Sequence, residues 1–111
     1  MTLHYENGDF GGKIILNGEI DHHAAVGAIE KIEKILDEYQ PGVVTFDLGG
    51  VTFMDSSGIA LLLFANRKLR QIDGLMFIVN VPPQPMRVLV SAGIDKIIKI
   101  EKRGVKNEKI R

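Results

Sequence analysis

The acid and two hydroxyls of Met54-Asp55-Ser56-Ser57-Gly58 stand between an apolar run and a helical one, and residues of these types at a junction admit three chemistries. A hydroxyl before a helix accepts an orphan backbone N–H as a cap, a role that suits Ser57. A serine beside a base is a nucleophile. A serine at a helix start can also carry a phosphate, because the first turn offers unpaired N–H donors and a partial positive charge. For the nucleophile, His4, His22 and His23 are the only histidines, and the Gly-x-Ser-x-Gly elbow is absent because Met54 and Asp55 precede Ser56. Hydrolysis is therefore disfavoured, and the chain is not expected to be an enzyme. Asp21-His22-His23 offers carboxylate and imidazole ligands, but neighbours on a helix diverge by about 100° and do not share a face. An N-cap followed by two exposed rings is the simpler reading, with no metal and no cofactor.

The elements that must position these residues follow from hydrophobic period. Leu3 to Glu6 and Lys13 to Leu16 read as strands joined by a glycine-rich turn, which makes them an antiparallel pair. Gly11-Gly12-Lys13 lacks the spacing of a phosphate loop and belongs to that turn. From Asp21 to Gln40, Ala25, Ile29, Ile32, Leu36 and Tyr39 recur at helical spacing, opposite a charged face on which Glu30 and Lys34 stand four apart. Asp21 caps this helix and Pro41-Gly42 stops it. Val43 to Leu48 reads as a buried strand interrupted only by Asp47, and Ser57 to Ile72 as a helix buried over its first half and stopped at Asp73-Gly74. Leu75 to Val81 is a further strand, Pro82, Pro83 and Pro85 open a third helix ending near Gly93, and Ile97 to Ile100 is the last strand.

Strands alternating with helices predict an α/β domain over residues 1–100, with a mixed, mostly parallel sheet of about five strands and helices covering its faces. Residues 101–111 are charged, lack apolar period and read as a flexible tail. Lys plus Arg number 14 against 14 Asp plus Glu, so no net field attracts nucleic acid or an anionic membrane. No apolar run reaches membrane-spanning length and there is no signal-like start, which predicts a soluble protein. The absence of cysteine is compatible with the cytoplasm.

Met54-Asp55-Ser56-Ser57-Gly58, preceded by VVTFDLGGVTF, resembles the phosphorylation motif of the STAS-domain anti-sigma-factor antagonists, and Gly18-Glu19-Ile20-Asp21-His22-His23-Ala24 is similar to their second signature segment. The likeness runs on through Gly74 and Ala92-Gly93-Ile94 and is greatest to the antagonists that act in sporulation. It implies a protein, monomeric when free, that binds an anti-sigma factor which is also a serine kinase, so freeing a sigma factor. The kinase would then phosphorylate Ser56, and a PP2C-type phosphatase would reverse this. By the same resemblance Asp21 is a kinase contact, and Asp55, Ser57 and Gly58 form the setting of Ser56. Ile59-Ala60 departs from the Leu-Gly common in relatives, which bears on local packing and on which kinase is cognate. A STAS module of the general stress response or another signalling system, or a ligand-binding scaffold, is the alternative.

Overall fold

A computed structural model describes residues 1–9 and 11–101; the tail expected over 101–111 lies, beyond Glu101, outside them. The chain runs β1 (Thr2–Gly8), β2 (Gly11–Ile20), α1 (His22–Tyr39), β3 (Val43–Met54), α2 (Ser56–Gln71), β4 (Leu75–Val79), α3 (Pro83–Ser91), a short 3-10 turn (Ile94–Lys96) and β5 (Lys99–Ile100). The five strands lie in sequence order. β1 and β2 are antiparallel, and every later neighbour pair is parallel.

Sequential order means that each crossover steps the same way along the sheet, so right-handed connections set α1, α2 and α3 on one face. The burial pattern agrees: Ile14, Leu16, Val44, Phe46 and Ile78 on that face are buried in one cluster with Ala28 and Ile32 of α1, Leu62 and Ala65 of α2 and Leu89 of α3. Lys13, Ile15, Thr45, Asp47 and Phe77, which alternate with them, are only half-buried. The helices expected to pack on the sheet thus lie on one face of it. Asp47 interrupts an apolar strand because it points away from the helices, where its partly buried carboxylate is compensated by accepting from the Gly49 N–H at 2.9 Å and by Lys13 at 3.7 Å.

In α1, Asp21 is the cap foreseen: its Oδ1 accepts from the Ala24 N–H at 2.9 Å. The helix ends where Gln40 turns left-handed (φ 44°) and donates to the Leu36 carbonyl at 3.0 Å. The buried stripe is Ala25, Ala28, Ile32 and Leu36. Tyr39, expected on that stripe, is 47% exposed and instead meets Tyr5 of β1 with ring centroids 5.0 Å apart. Charge on α1 is answered from its neighbour, since Lys68 of α2 lies 3.0 Å from Asp37 and 3.8 Å from Glu33.

β3 is longer than the apolar run suggests, passing through Gly49-Gly50 without a break. Two register shifts against β2, between Ile15 and Asn17 and between Gly18 and Glu19, each leave an extra residue on β3. Each is a bulge, and a bulge reverses which residues face the core. Buried positions accordingly pass from 44, 46 and 48 to 51 and 54. Gly50 sits at the first shift because a Cβ there would run into the Asn17 side chain. β4 ends at Val79 rather than Val81, and the last strand shortens to Lys99–Ile100 because the Ile97 and Ile98 N–H groups both donate to the Ile94 carbonyl, at 2.9 Å.

Candidate functional site

β2 and β3 finish level, with Ile20 opposite Met54. Each then hands the chain to an aspartate that caps a helix, so Asp21 and Asp55 leave the same carboxyl edge of the sheet, the edge at which α/β sheets present their binding groups. The Asp55 N–H extends the pairing by donating to the Ile20 carbonyl at 3.3 Å.

The cap of α2 is Asp55, not Ser57. Asp55 Oδ1 accepts from the Ser57 N–H at 2.8 Å, and its backbone carbonyl accepts from the Gly58 N–H at 3.0 Å. Ser57 lies one residue inside the helix and is half-buried. Two consequences follow. Two of the first-turn donors expected to welcome an anion, those of Ser57 and Gly58, are already engaged, and the positive end of the helix already has a carboxylate on it. Ser56, the first residue of α2, remains exposed, so the motif presents one accessible hydroxyl and one partly covered one.

Gly58 is buried against the strand that precedes the motif, where an added Cβ would lie 2.5 Å from Met54 Cγ and 2.9 Å from its sulfur. Met54 is held from a direction that the sequence did not reveal. Gln84 Oε1 accepts from the Met54 N–H at 3.0 Å, and Gln84 Nε2 donates to the Met54 carbonyl at 3.0 Å. β4 pairs with β3 only from Val43 to Asp47, so the far end of β3 lacks a neighbour on that side. The Gln84 amide supplies one donor and one acceptor in the place of a strand. The glutamine stands among Pro82, Pro83 and Pro85, which signal only a turn and a helix start.

Beside Ser56 the surface sinks into an open depression of about 440 Å³ between the start of α2 and α3, lined by Asp55, Ser56 and Ile59 from one side and by Arg87, Val88, Ser91 and Ala92 from the other. His22 and His23 are exposed in the first turn of α1, and His4 lies on β1 beside Glu6 at 3.5 Å. Among the described residues no hydrogen bond joins a histidine to Ser56 or Ser57, and no cluster of three potential metal ligands occurs. Among them, too, no helix is long and apolar enough to cross a membrane.

A one-faced five-strand sheet with two capped helices on one edge and a serine motif at the second cap defines a known class. The family model for the STAS domain matches residues 6–104, and the chain belongs to the STAS-domain family. Within it the chain is 33% identical to an anti-sigma F factor antagonist of Lysinibacillus sphaericus over 81 residues, 73% of this chain and 69% of the relative. It is 30% identical to that of Paenibacillus polymyxa over 102 residues, 90% and 87% of the two chains. The structure of the anti-sigma factor antagonist SpoIIAA in its unphosphorylated form superposes with a TM-score of 0.76 at 25% identity, covering 99% of this chain and 96% of that one. The phosphorylated form of the Bacillus cell fate determinant SpoIIAA shares the fold, with a TM-score of 0.70 at 24% identity over 99% and 100% of the chains.

Proposed function

We propose that this protein is an anti-sigma-factor antagonist of sporulation: it binds an anti-sigma serine kinase, so releasing a sigma factor, and is switched off when that kinase phosphorylates Ser56. A PP2C-type phosphatase returns it to the binding form. The observation that carries this reading is the exposed Ser56 hydroxyl at the first residue of α2, between the Asp55 cap and the depression, in a chain whose relatives include anti-sigma F factor antagonists. Asp21, on the same edge, is a second contact for the kinase, and Ser57 and Gly58 fix the helix start on which Ser56 is presented. The role is one of binding; the chemistry belongs to the partner.

A phosphate on Ser56 adds about −1.5 to −2 charges and three acceptor oxygens at one surface point. The fold tolerates this, because Ser56 is exposed and water reaching its hydroxyl screens the repulsion from the half-buried Asp55. A docked partner does not tolerate it. Two unit charges about 4 Å apart at an effective dielectric near 20 interact by roughly 4 kcal/mol, and a phosphate buried over Ile59, Val88 and Ala92 loses hydration as well. Since each 1.4 kcal/mol is about tenfold, binding weakens by about a thousandfold without any change in the domain's shape.

Calorimetry against the anti-sigma kinase tests this. Ser56→Ala should bind as the unmodified protein does, whereas Ser56→Asp should fold normally and bind weakly. Equal affinities for the two variants would sink the interface argument. An antagonist of a general stress-response sigma factor would use the same surface, and the sigma factor encoded beside the gene decides between the two.

A further inference from the structure

α3 brings a cation to the mouth of the depression beside Ser56. Arg87 lines it together with Ser56, Asp55 and Ser91, and its guanidinium is, among the described residues, the one cation of that lining. Arg87 is exposed, and among the described residues no ion pair engages its guanidinium. Asp55, the acid in the same lining, has its Oδ1 committed to the Ser57 N–H.

A phosphate on Ser56 needs a counter-charge that the helix start does not supply. The Ser57 and Gly58 donors are taken by Asp55, and the Asp55 carboxylate repels a second anion. A guanidinium is suited to the task, since its planar fork meets two phosphate oxygens at once through short charge-assisted hydrogen bonds. Resting on the reading of Ser56 as the phosphoacceptor, we infer that Arg87 is the intramolecular partner of the Ser56 phosphate and holds it across the mouth of the depression. Phosphorylation then does more than add charge at the rim. The phosphate–guanidinium pair covers the apolar floor of Ile59, Val88 and Ala92, so a partner's side chain that would seat there is excluded by volume as well as by desolvation. Arg87 is a positioning residue in this account: it directs the modification that Ser56 carries.

The test uses the full chain with phosphoserine installed at position 56 by genetic-code expansion, as otherwise wild-type protein, as Arg87→Gln and as Arg87→Lys. Phosphorus NMR follows the second ionisation of the phosphate with pH. A neighbouring guanidinium favours the dianion, so the midpoint should be lowest in the wild type and about one pH unit higher in Arg87→Gln. Arg87→Lys, which keeps the charge and loses the fork, should fall between them. Superimposable midpoints in the wild type and Arg87→Gln would overturn the inference. In the wild type alone, the Arg87 Nε–H resonance should move and exchange more slowly with solvent once position 56 is phosphorylated; an unmoved resonance overturns it equally. Incubation of unmodified protein with the kinase and ATP reports separately on the reading beneath: no phosphate on Ser56 there, with a shifted midpoint here, would remove the kinase reading and leave the pair standing.

Discussion

Asp55 explains more of the motif at the residue scale than either serine does. A hydroxyl and a carboxylate are both capping side chains, and sequence alone places a helix start only to within a residue or two, so the Asp-Ser-Ser run left open which of them caps. The backbone decides, because Asp55 has the extended conformation of a cap and Ser56 is already helical. Asp55→Ala should therefore lower stability by about 1 to 2 kcal/mol and Ser57→Ala by no more than a few tenths, read by urea denaturation; the reverse order would return the cap to Ser57. Asp21 was legible as a cap because a single acid precedes a clean helical period. Its cap and its proposed contact with the kinase separate by substitution. Asp21→Asn keeps a capping oxygen and should melt near the wild-type temperature while binding the kinase less tightly; a loss of stability equal to that of Asp21→Ala would show that the charge belongs to the fold.

At the scale of elements, the motif is aimed by the two bulges in β3 and by Gln84. The order of strands and helices was readable from period, because each helix carries an apolar stripe and each strand a short apolar run. The bulges were not, since Gly49-Gly50 reads equally well as a break between strands and as an irregularity inside one. Nor was Gln84, whose partner stands 30 residues earlier in the chain. Its removal should be felt at the site. Gln84→Ala leaves the Met54 N–H and carbonyl without their partner and should cost about 1 to 3 kcal/mol, with faster hydrogen exchange at Met54 than at Val44 in the middle of the same strand. Unchanged exchange at Met54 would mean that the amide merely rests on the strand. Gly58→Ala should also destabilise, by about 1 to 3 kcal/mol through overpacking, because the new Cβ would displace the buried Met54 side chain.

The described residues form a sheet with helices on one face, which makes its carboxyl edge a firm platform for the exposed Ser56. The far corner of the fold reports on its integrity independently of the site. Burial, and to a smaller extent the neighbouring Tyr39 hydroxyl, raises the Tyr5 phenol above its ordinary pKa of 10.0. The folded state therefore holds that proton more tightly than the unfolded chain does. The resulting stability is intact below about pH 10 and is lost as pH rises through the higher, folded value. Tyr5→Phe should abolish this alkaline loss relative to wild type, as compared by urea midpoints on either side of about pH 10; parallel profiles would contradict it. The pairing of Tyr5 with Tyr39 was hidden in the sequence because Tyr39 fits the helical stripe by spacing, yet the last turn of α1 overhangs β1 instead of the core. The most direct test of the account is chemical: incubation with the cognate anti-sigma kinase and ATP, followed by mass spectrometry that localises the phosphate between the two adjacent serines. A single phosphate on Ser56, absent from Ser56→Ala and retained in Ser57→Ala, is the predicted result. A phosphate on Ser57, or none on either serine, would contradict it.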